Sequence, residues 1–66
     1  MQIRLNGHAT EISEQCTIAD LVTKCDLNGR RLAVEVNREL VPRSQFETYR
    51  LNADDQVEMI QAVGGG

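Results

Sequence analysis

The sequence is short of what most catalytic sites are built from: its 66 residues hold one histidine, one proline and two cysteines. With His8 alone beside the Asn6-Gly7 dipeptide, no catalytic triad and no metal-ligand set can be assembled, and His8 reads as a turn-flanking surface residue. Two cysteines are too few for a disulfide-dense secreted scaffold, and the opening Met1-Gln2-Ile3-Arg4-Leu5 lacks the charged start and apolar run of a signal peptide. A cytoplasmic location is therefore expected. No apolar stretch approaches the roughly 18 residues of a membrane helix, so no membrane partner is expected either. Positive charge is also scarce. Seven Lys and Arg against ten Asp and Glu leave a net charge of −3, which argues against phosphate-backbone binding, and Arg30-Arg31 reads as a solvated turn. The carboxylates Glu11, Glu14, Asp54 and Asp55 lack calcium-loop spacing and read as loop and edge charges. A chain this short buries only about 60% of its unfolded surface, leaving little room for an enclosed reaction site.

What is present is a clear order of elements. Met1, Ile3 and Leu5 alternate with Gln2 and Arg4, the period of a half-buried strand, and Asn6-Gly7 is a strong type I′ hairpin signal. A second strand is expected over His8 to Ser13, with Ile12 its most secure core residue. From Thr17 to Asp26 the period changes to that of a helix, because Ile18, Leu21, Val22 and Cys25 share one stripe. Thr17 is positioned as N-cap with Asp20 as its capping-box partner, Cys16 stands in the hydrophobic-staple relation to Leu21, and Asn28-Gly29 is the expected stop. The two cysteines thus read as packing residues rather than a redox pair. Leu32, Val34 and Val36 predict a third strand, Asn37-Arg38-Glu39 its turn, and Leu40-Val41 a short edge piece cut by Pro42. A single helical turn fits between Ser44 and Tyr49, Asn52 to Asp55 is polar loop, and Val57 to Val63 is the last strand. One helix cannot cover both faces of a sheet, so the pattern predicts an α+β fold, a mixed sheet of four to five strands with the main helix on one face. The first and last strands are the expected parallel central pair.

Three of the five glycines are the last three residues. Such an end has no side chains to bury and would reach about 10 Å beyond Val63 when extended, so residues 1–63 are expected to fold and 64–66 to form a flexible tail. This is not a phosphate-cradling loop, which would lie between a strand and a helix. The terminal carboxylate is chemically inert until it is activated. An arm without β-carbons, however, can enter a channel too narrow for other residues. If Val57 and Met59 face the helix, strand parity turns Ile60 and Ala62 outward, where they become candidate partner contacts beside the tail.

The stretch Ala33-Val34-Glu35-Val36-Asn37-Arg38-Glu39-Leu40-Val41-Pro42-Arg43, followed by Asp54-Asp55-Gln56-Val57-Glu58 and the end Ala62-Val63-Gly64-Gly65-Gly66, resembles the ThiS family, the sulfur carrier proteins of thiamine biosynthesis. The resemblance spans the chain and is most specific in Val-Asn-x-x-Leu-Val-Pro-Arg and the terminal diglycine; Gly64 is an additional glycine. Pattern and resemblance together give the β-grasp, or ubiquitin-like, fold. The resemblance further implies a carrier, not an enzyme, with no bound cofactor. A ThiF-like adenylating enzyme uses ATP to convert the Gly66 carboxylate to an acyl-adenylate, with Gly64 and Gly65 entering the partner's active site. A cysteine desulfurase persulfide supplies sulfur for a thiocarboxylate, which passes it to a ThiG-like thiazole synthase. The alternatives are a carrier like the small subunit of molybdopterin synthase, a non-covalent ubiquitin-like or TGS-like binding module, and a thiol-redox protein using Cys16 and Cys25.

Overall fold

The computed structural model describes residues 1–61, so the far end of the last expected strand and the glycine tail lie outside the described residues. Five strands and one helix follow in the order β1 (Gln2–Leu5), β2 (His8–Glu11), α1 (Ile18–Lys24), β3 (Leu32–Val36), β4 (Glu39–Val41) and β5 (Gln56–Gln61), with a short 3-10 turn at Arg43–Gln45. They form one sheet in the order β2-β1-β5-β3-β4. β1 and β5 are the parallel pair, as expected, and every other pairing is antiparallel.

Strand alternation and the helical stripe meet in a single core. Ile3, Val34, Val36, Val57 and Met59 from the sheet are buried with Ile18, Leu21 and Val22 from α1. Ile18 and Leu21 are fully buried, each stabilising the fold by roughly 1.5–3 kcal/mol relative to exposure. Phe46 and Leu51 close the core from the long β4–β5 connection.

The helix start follows the local sequence closely. The Asp20 amide donates to Thr17 Oγ1 at 3.1 Å and the Thr17 amide donates to Asp20 Oδ2 at 3.1 Å, completing a capping box. Cys16 and Leu21, the staple pair, are both buried. The helix stop differs from expectation. Asp26, not Asn28-Gly29, takes the left-handed conformation that ends α1, at φ 59°. The Leu27 amide then donates to the Val22 carbonyl and the Asp26 amide to the Thr23 carbonyl, each at 3.0 Å, which is a Schellman closure. Leu27 packs against the core as this closure forms, and that burial favours stopping before Asn28-Gly29. Gly29 has a positive φ of its own, in the next turn.

Two other boundaries shift. β2 ends at Glu11, which pairs with Gln2, the first residue of β1. Ile12 is buried as expected, its amide donating to the Met1 carbonyl at 2.8 Å. The helical turn expected within Ser44–Tyr49 starts one residue earlier, since Pro42 sits at its cap and its carbonyl accepts from the Gln45 amide at 2.9 Å. The Met1 ammonium pairs with Glu11 at 3.0 Å. That hydrogen bond, then its charge, hold the Glu11 carboxyl below the ordinary carboxylate value. A lowered folded-state pKa means that this contribution is present near neutrality and is lost as the pH falls through it.

Both hairpin turns place two successive residues at positive φ, Asn6 (50°) with Gly7 (84°) and Asn37 (52°) with Arg38 (70°). Glu39, expected in the second turn, instead opens β4 opposite Val36. Each turn asparagine then binds β5. Past the last β1–β5 pair, Asn6 Oδ1 accepts from the Met59 amide at 2.9 Å and Asn6 Nδ2 donates to the Met59 carbonyl at 3.4 Å, so the side chain imitates a further ladder step. Asn37 Oδ1 accepts from the Gln56 amide at 3.0 Å. Replacing Asn6 with Ala should remove both Met59 bonds and the tolerance for a left-handed backbone. The expected loss is about 1–2 kcal/mol of unfolding free energy in urea, with the m-value unchanged. An unaltered midpoint would refute this role.

Asp55 corrects a reading made from sequence. Rather than a loop charge it is buried, with 7% of its surface exposed. Its carboxylate accepts from Asn37 Nδ2 at 3.0 Å and from the Asn52 amide at 2.8 Å.

Candidate functional site

The strand that leads to the glycine end is the middle strand of the sheet. Along β5, Val57 and Met59 are buried against the helix side, whereas Gln56, Glu58 and Ile60 are exposed on the opposite face. Ile60 thus stands where strand parity placed it, with 55% of its surface open. The other residues expected to act, Ala62, Gly64, Gly65 and Gly66, lie outside the described residues, as does Val63.

The sheet register adds residues that the sequence reading did not name. Ile60 pairs with Ala33, and Glu58 pairs with Glu35, which itself pairs with Leu40 on β4. Paired residues share a face, so Leu40, Glu35, Glu58, Ala33 and Ile60 form one outer surface. Leu40 is 68% exposed and, with Ile60, makes up the exposed large hydrophobics of the described residues. Strand parity carried this signal too: once Val34, Val36 and Val41 point inward, Glu35 and Leu40 must point outward.

Elsewhere the molecule offers little to a reaction. A groove of about 310 Å³ lies beside the end of α1, lined by Ala19, Val22, Leu27, Leu32, Arg43 and Phe46 among others, and its lining contains no histidine or cysteine. Among the described residues no group of acidic, histidine and cysteine side chains could hold a metal ion. No described helix is long and apolar enough to cross a membrane. His8 is exposed beside its turn. Both thiols are free, Cys16 buried and Cys25 half-buried. Burial, then the nearby Asp20 charge, push the Cys16 thiol above its ordinary pKa, which suits a packing residue and opposes the thiolate that redox exchange requires. Arg30 lies exposed, its carbonyl accepting from Arg43 Nη2 at 2.6 Å.

The described residues thus form a β-grasp sheet with a helix on one face and an open outer face. Comparison with known proteins agrees with that geometry. The chain is 36% identical over 66 residues to the uncharacterised protein ycf40 of Porphyra purpurea, covering 93% of it. It is 32% identical over 66 residues to the thiazole synthase of Paramagnetospirillum magneticum, though it spans only 20% of that protein's length. It is 29% identical to the sulfur carrier protein ThiS of Escherichia coli, with both chains covered in full. Among solved structures, the crystal structure of the thiamine biosynthesis protein ThiS from Geobacter metallireducens matches with a TM-score of 0.84 at 25% identity, over the whole of both chains. The model of the ThiS family matches residues 3–66, and the chain belongs to that family.

Proposed function

We propose that this chain is a sulfur carrier for thiamine biosynthesis, supplying the sulfur of the thiazole ring through the carboxyl group of Gly66. The observation that carries this reading is the family match running through residue 66 on a body with no catalytic constellation among its described residues. The chemistry divides between carrier and partners. An oxygen of the Gly66 carboxylate attacks the α-phosphorus of ATP on a ThiF-like adenylating enzyme, releasing pyrophosphate and leaving a good leaving group on the carbonyl. A persulfide sulfur, derived from cysteine by a desulfurase, then displaces AMP, and reductive cleavage of the S–S bond by a thiol leaves the thiocarboxylate. This sulfur is soft and nucleophilic, suited to attack on the carbonyl intermediate held by a ThiG-like thiazole synthase. The carrier itself performs no catalysis and holds no cofactor; ATP binds to the activating partner.

Gly64 and Gly65 serve as the part of the arm that enters the partner's active site, where any β-carbon would widen the channel required. Ordering such residues costs about 1–2 kcal/mol each, so the folded body must contribute most of the affinity. Ile60, exposed on the outer face shortly before the tail, is a contact for that docking, as is Ala62 two residues further along the chain. The thiazole synthase relatives support the pathway assignment, since a segment like this chain forms about a fifth of their length.

Intact-mass spectrometry after incubation with ATP, the adenylating enzyme and a persulfide donor tests the proposal. The expected product carries one sulfur in place of one oxygen, located on Gly66 by fragmentation. A competent enzyme that never yields adenylate or thiocarboxylate would leave a non-covalent binding module as the surviving reading.

A further inference from the structure

Asparagine followed by glycine occurs twice in the chain, and the two stretches read alike, Leu5-Asn6-Gly7 and Leu27-Asn28-Gly29. Both glycines have a positive φ, 84° and 80°, and neither glycine amide donates a hydrogen bond among the described residues. The two sites differ at the asparagine side chain. Asn6 is gripped by β5, its Oδ1 accepting from the Met59 amide and its Nδ2 donating to the Met59 carbonyl. Asn28 is exposed in the turn after α1, where its Nδ2 donates at 3.0 Å to the hydroxyl of Thr23, itself exposed. That hydroxyl also donates to the Ala19 carbonyl at 3.1 Å, a bond that keeps it on the helix. The other asparagines, Asn37 and Asn52, precede Arg38 and Ala53, whose β-carbons crowd the backbone nitrogen that glycine leaves open.

We infer that Asn28 is a site of spontaneous deamidation in the folded protein, and that Asn6 is shielded from the same reaction by its hold on Met59. The Gly29 backbone nitrogen, its proton lost to hydroxide, attacks the carbonyl carbon of the Asn28 side chain. The tetrahedral adduct takes up a proton from water and expels ammonia, leaving a five-membered succinimide. Water then opens the ring at either carbonyl. One opening gives aspartate, and the other gives isoaspartate, in which the backbone runs through the side chain. Overall water enters and ammonia leaves, with no oxidant or reductant required. At Asn6 the same attack requires the side chain to swing toward Gly7, and both Met59 bonds must break first. Asn28 gives up a single bond to a surface hydroxyl, which water replaces. The product adds one negative charge to the −3 of the parent chain. That charge stands at the rim of the groove beside the end of α1, which Asn28 and Gly29 line together with Arg43 and Glu47.

The test incubates the full chain in neutral and mildly alkaline buffer, with and without denaturing urea, and follows both Asn-Gly sites by peptide mapping with mass spectrometry. The readout is the exchange of NH for O, with the aspartate and isoaspartate peptides separated by chromatography. In the folded protein Asn28 should convert at least about tenfold faster than Asn6, and faster still as hydroxide rises. In urea, where Asn6 loses β5, the two rates should converge to within about twofold. Asn28→Gln should remove the early mass change and leave the melting temperature unaltered, because the side chain is exposed. Equal rates at the two sites in the folded protein would overturn the inference. A difference that persists in urea would overturn it as well, since the following residues, His8 and Arg30, would then account for it. An early mass change that survives in Asn28→Gln would place the reaction elsewhere in the chain.

Discussion

Deleting Gly65 and Gly66 is expected to abolish sulfur transfer completely while shifting the melting temperature by less than about 1 °C, an effect size typical of glycines that bury no side chain. The truncated chain still ends in a carboxylate, now on Gly64, so the loss does not come from removing the functional group. It comes from reach. Two residues span at most about 7 Å, and an adenylation site that holds ATP rigidly cannot bring its α-phosphorus that distance to meet a shortened arm. Docking through the sheet face should survive, so the truncated protein is expected to compete with the parent for the adenylating enzyme. The measurement pairs a thiocarboxylate mass assay with calorimetry and an inhibition series. Retained transfer would overturn the role of Gly66, whereas a drop of many degrees would show that the two glycines support the fold.

The largest effect on folding is expected at Asp55. Removing its side chain in Asp55→Ala takes away two hydrogen bonds to a charged acceptor and leaves the Asn52 amide and Asn37 Nδ2 without that acceptor. The expected cost is about 3 kcal/mol. In a 66-residue domain whose total stability is on the order of 3–10 kcal/mol, that is a large share, and it corresponds to a fall in melting temperature of about 15–20 °C. Asp55→Asn retains one acceptor oxygen and should lose about half as much. The network also ties the second hairpin turn to the start of β5, since Asn37 binds both Asp55 and the Gln56 amide. Urea denaturation of both variants decides the matter, and equal stability of Asp55→Ala and the parent would remove Asp55 from the account.

These residues show where reading the sequence succeeds and where it does not. The N-terminus of α1 was legible because Thr17, Asp20, Cys16 and Leu21 act on one another within a single turn. The first hairpin was legible because Asn6 and Gly7 both tolerate the left-handed backbone found there. Ile60 pointed outward because alternation along one strand is enough to decide it. The helix stop was misplaced since Asp26 and Asn28-Gly29 are both capable of closing a helix, and the choice depends on Leu27 reaching a core made by distant segments. Asp55 was misread for the same reason. One of its partners is Asn37, 18 residues away, and nothing local distinguishes it from Asp54. The outer surface needed register as well as parity, because Glu35 and Glu58 become neighbours only when β3 and β5 pair. For Gly66 the sequence supplied an unusual composition, and family resemblance supplied its chemistry.

The strand order also bears on when the molecule becomes competent during synthesis. β1 and β2 form one hairpin and β3 and β4 another, and β5, made last of the five, lies between them and joins them into one sheet. Translation proceeds from the N-terminus, so neither hairpin has its long-range neighbour until residues 56–61 have left the ribosome. The parallel pairing and the two turn asparagines that grip β5 all wait for the same six residues. The segment that completes the fold is the one covalently attached to the tail. A ribosome that stalls before residue 56 therefore releases two hairpins without the strand that joins them into one sheet.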